Sequence, residues 1–317
     1  MLRVVRMGEA ARASLRPGMS GRVLAVFRRT FYVVDCQGGV VCIGDASLGA
    51  GPLNAACASL SDWQAEPLSP GDETRVARGV LAIGGGLALC LDGAEAWRRA
   101  AFPTFRGFQA LRYGLQCLAE LARMQAPADG LGRTIRPPAE VDGDALSEWG
   151  IETSPVTKAA EPGIDALRSW LVGRLGRAER AVAPSPAVIS LIGLGPGLTP
   201  SGDDFLGGAA VALHGLGRAD VAGELAVFLS GHLQSRTGLI SGAHLRQALR
   251  GEACAPTLDA MDAVLSGLTS RVDAACRAAA TVGHTSGWDA LGGLSLAAAA
   301  FLEASPQGAA EPASRCA

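Results

Sequence analysis

The apolar rhythm of the chain changes once along its length. From Gly21 to about Phe105, short runs are rich in β-branched or aromatic residues: Arg22 to Phe27, Thr30 to Val34, Gly39 to Ile43 and Gly86 to Leu91. Gly, Asp and Pro punctuate these runs, which predicts short strands in a compact β-rich domain. After Phe105 the repeat becomes helical. Phe108, Leu111, Leu115, Leu118 and Leu121 recur at three- and four-residue steps, placing one apolar face on a helix. Further helices are predicted over 164–181, 204–216, 222–236, 243–250, 258–280 and 288–303. Residues 125–162, rich in Pro, Gly, Asp and Glu, read as an extended loop or an excursion between helices. Val188 to Ile192 is a short β-branched run leading straight into a glycine loop. The expected fold class is α+β, with a β-rich, barrel-like domain over 1–105 and a mainly α-helical domain over 106–317.

Composition sharpens this picture at a few points. The 317 residues are 49% hydrophobic but only 5% aromatic, so Ala, Leu and Val must fill the interior, and small side chains let helices approach closely. A formal net charge of -2 removes the usual electrostatic ground for a nucleic-acid or anionic-membrane partner. The apolar start Met1 to Met7 is broken by Gly8 and Glu9 before it reaches a signal-peptide core. Ala290 to Leu302 falls short of the roughly 18 apolar residues of a spanning helix and reads as a buried one. A cytoplasmic protein follows from these features. Its eight cysteines form no C-x-x-C pair and are expected to be reduced. His214, His232 and His244 lack companions at ligand spacing, so no zinc site is expected.

Candidate chemistry concentrates in two stretches that share a pattern. The first runs Gly193-Leu-Gly-Pro-Gly-Leu-Thr-Pro-Ser-Gly-Asp-Asp-Phe-Leu-Gly-Gly208, the second Gly283-His-Thr-Ser-Gly-Trp-Asp-Ala-Leu-Gly-Gly293. Aligning Ser201 with Ser286 gives Ser-Gly-x-Asp-x-Leu-Gly-Gly in both. In each, a serine three residues before an aspartate predicts a capping box and a helix start. Paired glycines one to two turns later, costly inside a helix, predict that the two helices cross there. Their N-termini would then present unpaired amides to one cleft. Asp203 is surplus to capping, so it requires another partner: a cation, Arg236, or an N–H-rich ligand. His284 stands just before the second cap, where it could act as acid or base. Arg236 and Thr237, in Gln234 to Ser241, offer groups for a phosphate or carboxylate. Asn54 ends the glycine-proline turn Leu48 to Asn54, either an ordinary loop or one facing substrate.

The glycine loop with Thr-Pro-Ser-Gly-Asp-Asp, then Ser235-Arg236-Thr237, then Gly-His-Thr-Ser-Gly-Trp-Asp together resemble the AllH-like family over about residues 190–293. Ala25 to Phe27 and Gly51 to Asn54 add weaker likeness near the N-terminus. That family is typified by the H subunit of the oxamate carbamoyltransferase of bacterial allantoin breakdown. The resemblance implies a subunit for carbamoyl transfer between carbamoyl phosphate and a small amide or carboxylate such as oxamate, working beside FdrA-like and other subunits. Catalytic roles would fall on Asp203, Asp204, His284 and Asp289. Substrate would be held by Gly195, Gly197, Thr199, Ser201, Gly202, Arg236, Thr237, Thr285, Ser286, Gly287 and Asn54. Two other readings stand beside it: a non-catalytic ligand-binding or scaffolding subunit, and a metal-dependent amide hydrolase in which Asp203, Asp204 and Asp289 hold Mg²⁺.

Overall fold

A computed structural model describes residues 1–45, 47, 49–59, 62–102, 105–138, 154–176 and 182–305. The chain divides into two compact units, Met1–Ala100 with Glu252–Ala255, and Ala101–Gly251 with the residues from Pro256 on. In the first unit the strands are β1 (Leu2–Gly8), β2 (Ser20–Val26), β3 (Thr30–Asp35), β4 (Val40–Asp45), β5 (Asn54–Cys57), β6 (Glu73–Ala77), β7 (Val80–Ile83), β8 (Leu87–Cys90) and β9 (Glu95–Trp97). They pair in the order β5-β4-β3-β2-β6-β7-β8-β1, and β1 pairs back with β5. Eight strands therefore close into a barrel, with β9 continuing beside the end of β1. Closure leaves no exposed edge among those eight.

Period-two alternation fills this barrel. Phe31 and Val33, Leu81 and Ile83, and Leu87 and Leu89 all point into one apolar cluster. Trp63 joins them with its ring centroid 4.7 Å from that of Phe31. The helix α1 (Glu9–Ser14) adds Ala11 to the same core. Strand β5, Asn-Ala-Ala-Cys, carries little strand propensity of its own and becomes one because β4 and β1 pair with it on either side.

The second unit is helical: α2 (Phe108–Gln125), α3 (Pro155–Leu175), α4 (Ser201–Gly215), α5 (Ala219–Arg236), α6 (Leu239–Ala248), α7 (Ala255–Ser266), α8 (Thr269–Ala280) and α9 (Ser286–Ala304). Leu111, Leu115, Leu118 and Leu121 are the buried face of α2, as their spacing predicts. Helices α4 and α9 are buried almost all round and form the centre. Among the described residues no helix is long and apolar enough to cross a membrane.

Two sequence expectations need correction. The single helix over 258–280 is two, α7 and α8, because Gly267 adopts a φ of 67° and its missing side chain leaves room for the Ala110 carbonyl. The stretch 125–162 is not one excursion. Its start carries a 3-10 turn at Gly132–Thr134, and α3 already begins at Pro155, where the Ser154 hydroxyl accepts from the Thr157 amide at 3.1 Å. Residues 139–153 lie outside the described residues, as do 177–181 of the helix expected over 164–181. The β-branched run at Val188 falls within a 3-10 segment, Pro186–Leu191, which Ser185 and Pro186 initiate. Seven cysteines are free thiols, and Cys316 lies outside the described residues.

Candidate functional site

The crossing of α4 and α9 rests on missing side chains. A Cβ on Gly208 would strike the Ala290 carbonyl, and one on Gly293 would strike the Phe205 carbonyl. Under the Ser201 to Ser286 alignment, Phe205 is equivalent to Ala290 and Gly208 to Gly293, so the two contacts are the same contact seen from either helix. The local arrangement is a twofold repeat. It brings the two helix starts together: the hydroxyls of Thr199 and Ser286 lie 2.8 Å apart.

The capping boxes predicted from Ser-x-x-Asp do not form. Pro200 occupies the cap position of α4, and its carbonyl accepts from the amides of Asp203 and Asp204 at 2.9 and 3.2 Å. In α9 the Thr285 carbonyl accepts from the Asp289 amide at 2.8 Å. Each serine is therefore one residue inside its helix, where its hydroxyl cannot reach back to cap it. Instead the partners cross over. Ser286, with Thr199, stands beside the Asp204 carboxylate, and Ser201, with Thr285, beside the Asp289 carboxylate.

These hydroxyls favour the charged carboxylates, but burial outweighs them. Asp204 is pushed well above the usual carboxylate range, first by burial and then by the nearby charges of Asp289 and Asp203. Burial also raises Asp289, against the hydrogen bond that the Leu131 amide donates to its Oδ1 at 2.6 Å. Asp289 is fully buried, whereas Asp204 is partly exposed as a residue with an enclosed Oδ2. The flanking hydroxyls are close enough to influence both groups without closing a bond to either Oδ2, so both Oδ2 atoms lack a hydrogen-bond partner among the described residues.

Asp203 has internal partners in place of a cation, Arg236 or a ligand. Only 2% exposed, it accepts from the Gly193 amide at 2.9 Å on Oδ1, and on Oδ2 from the Ser241 hydroxyl at 2.6 Å and the Thr237 hydroxyl. It thereby ties the glycine loop, the start of α4 and the start of α6 together. The three carboxylates that a Mg²⁺ ion would need point to different partners. Asp203 turns toward α6 while Asp204 and Asp289 turn toward the opposite helix start, and among the described residues no three His, Cys, Asp or Glu groups could hold a metal ion.

Around these carboxylates the backbone opens outward. Gly193, Gly195 and Gly197 have φ values of 74°, 110° and 98°, and Pro196, Gly197 and Leu198 are exposed. The amides of Gly195, Gly197, Leu198 and Thr199, like those of His284, Thr285 and Ser286, have no hydrogen-bond acceptor among the described residues. His284 is exposed. Gly202 and Gly287 are buried and press against the carbonyls of Leu191 and Ala279, so they serve packing. Arg236 is exposed at the end of α5, with its carbonyl against Gly193 and its guanidinium unpaired among the described residues. Asn54 belongs to the barrel unit, where its side chain donates to the Gly49 carbonyl at 3.3 Å.

Two participants escape the sequence reading. The Leu131 amide is a backbone donor, for which a side-chain pattern carries no signal. Ser241 closes the quoted stretch from Gln234, but only its placement beside Asp203 gives it a partner.

No solved structure matches the chain. The family model described as oxamate carbamoyltransferase subunit AllH matches residues 191–298, which hold both glycine loops and the crossing of α4 with α9. A second model, the AllH family N-terminal domain, matches residues 3–96, the whole of the barrel. With barrel and crossed helices both accounted for, the chain belongs to the AllH family.

Proposed function

We propose that this chain is a subunit of a carbamoyltransferase-type enzyme that acts on a small amide or carboxylate such as oxamate, with carbamoyl phosphate. The observation that carries the reading is the meeting of the two glycine loops at Thr199 and Ser286, with open amides on both sides and the Asp204–Asp289 pair beneath. In the transfer, the acceptor nitrogen bonds to the carbamoyl carbon, the bond from that carbon to the phosphate oxygen breaks, and the nitrogen loses a proton. Amides of Gly195, Gly197, Thr199, Thr285 and Ser286 suit the anionic oxygens, aided by Arg236. The Asp204 carboxylate, partly exposed, suits the N–H groups of a carbamoyl or amide nitrogen. His284, exposed at the second start, suits the part of proton acceptor.

The internal engagement of Asp203 favours a second reading, in which the chain binds ligand and the bond-making groups reside in FdrA-like or other partner subunits of the cytoplasmic complex. Both readings are tested with the purified full chain, alone and mixed with its partner subunits, by following carbamoyl phosphate formation or consumption and, by calorimetry, ligand binding. Turnover is expected only in the mixture, and oxamate and carbamoyl phosphate should bind the single chain more tightly than phosphate. Robust turnover by the single chain would overturn the dependence on partners. Absence of binding to any of the three ligands, alone or in the mixture, would overturn the site.

A further inference from the structure

Arg246 is a charged side chain that nothing described in the structure neutralises. It lies on α6, one turn beyond Gly242, and helical geometry sends its side chain back toward the start of that helix. Its Nη1 lies 3.3 Å from the place a Gly242 Cβ would occupy, and the Thr237 methyl lies 3.5 Å from the same point. The guanidinium therefore sits beside the residue whose hydroxyl holds Asp203, on the connector that follows Arg236. Among the described residues it makes no ion pair and no hydrogen bond. Burial lowers its affinity for its proton, and so does Arg250, a charge of the same sign. Asp203, whose oxygens are already engaged by Gly193, Ser241 and Thr237, does not pair with it.

Such a placement is unfavourable without an anion. A half-buried cation beside a second cation loses hydration and meets repulsion. Arginine in particular offers a planar fork of donors matched to carboxylate or phosphate oxygens. Arg236, exposed and unpaired among the described residues, directly precedes Thr237. A side chain at Gly242 would crowd the Arg246 head, its Cβ lying 3.3 Å from Nη1.

We infer that Arg246 is a further anion-binding residue of the proposed site, receiving the phosphate or carboxylate oxygens of the ligand together with Arg236. This rests on the functional reading above and adds a residue to it. The test uses the full chain and three probes in separate titrations: inorganic phosphate, oxamate and carbamoyl phosphate. Arg246→Gln should weaken binding of at least one by about tenfold, the loss of one good charge-assisted contact, while the melting temperature stays level or rises because no partner is lost. Loss confined to phosphate and carbamoyl phosphate assigns the phosphate end, and loss confined to oxamate assigns the carboxylate end. Gly242→Ala, which crowds the guanidinium and keeps its charge, should reproduce part of the effect, and Arg246→Lys should restore less than half of the lost affinity. Wild-type binding that is unchanged in Arg246→Gln overturns this inference and leaves the function standing. A lower melting temperature accompanying weaker binding of every probe makes Arg246 structural and also overturns it. If the wild-type chain binds none of the probes, alone or with its partner subunits, the inference falls with the function.

Discussion

Position 203 in the first helix start and position 288 in the second are equivalent, yet one is an aspartate and the other a tryptophan. Around them the serine and its glycine, the second aspartate, the leucine and the paired glycines repeat, and only Phe205 and Ala290 also differ. Asp203 reaches sideways to Gly193, Thr237 and Ser241 and so fastens the start of α6. Trp288, 4% exposed, packs its Cβ against Gly132 and so fastens the segment whose Leu131 amide meets Asp289. The repeated residues build the crossing and the exchange of hydroxyls. The divergent position decides which third element each start holds, by polar bonds on one side and by apolar contact on the other.

Replacing the divergent residues should produce the largest effects. Asp203→Ala leaves three donors facing a buried gap, and a cost of about 3–5 kcal/mol is expected from the unmet bonds and the lost volume. Asp203→Asn should recover roughly half of it, because the Thr237 and Ser241 hydroxyls can rotate to accept from the new amide. Trp288→Ala should cost a similar amount, about 3–5 kcal/mol, through its cavity, with no recovery from a polar substitute. Denaturant titrations of these variants check the contrast. A mild Asp203→Ala would mean that the Asp203 cluster does not hold α6 in place.

The crossing offers a smaller effect that tests the symmetry itself. Gly208→Ala and Gly293→Ala each push a methyl into a carbonyl of the opposite helix. Each is expected to cost about 1–3 kcal/mol, the usual range for overpacking, and the two values should agree to within roughly 0.5 kcal/mol, the tolerance of additive sites. Calorimetric melting of both variants gives the comparison. Widely different values would show that the repeat is one of sequence pattern alone.

Much of this was legible in the residues, for a physical reason in each case. Glycine pairs inside an apolar helix are costly unless backbones meet, so Gly207-Gly208 and Gly292-Gly293 announced the crossing. The barrel showed itself through the β-branched runs that become β2, β3, β4 and β8, whereas β1, β6, β7 and β9 lie outside those runs and the strand character of β5 comes from neighbours rather than from Asn-Ala-Ala-Cys. Ser-x-x-Asp carried a misleading message. The same four residues suit a local cap or a bond to a second helix, and only Pro200 and Thr285, by taking the cap positions, decide between them. Asp203, surplus to capping, does need a partner, but the residues that supply it, Thr237 and Ser241, are distant in sequence and internal. Leu131 was invisible because a backbone amide leaves no trace in side-chain chemistry.

The finest distinction between the two starts lies in how their carboxylates titrate. Asp204 and Asp289 are both raised, but Asp204 carries the additional repulsion of two neighbouring carboxylates. An acid that holds its proton more firmly when folded contributes stability that is fully present below its unfolded value of about 3.9. That contribution is lost as pH rises through the folded value, because the folded state then binds more protons than the unfolded one. The wild-type chain should therefore lose stability from about pH 4 upward until Asp204 has ionised, over and above what its other groups contribute. Asp204→Asn removes the ionisation while keeping shape and an acceptor for the hydroxyls. It is expected to flatten that decline and, near neutral pH, to change stability by no more than about 1 kcal/mol in either direction, since one hydrogen bond is exchanged for relief from repulsion. Asp289→Asn should flatten it less and cost more, because its amide must still satisfy the Leu131 N–H within a fully enclosed site. Urea denaturation of the three proteins at intervals from pH 4 to 8 measures both slopes. Identical slopes in wild type and Asp204→Asn would mean that Asp204 titrates as an ordinary exposed carboxylate, and the asymmetry between the two helix starts would then reside in Asp203 and Trp288 alone.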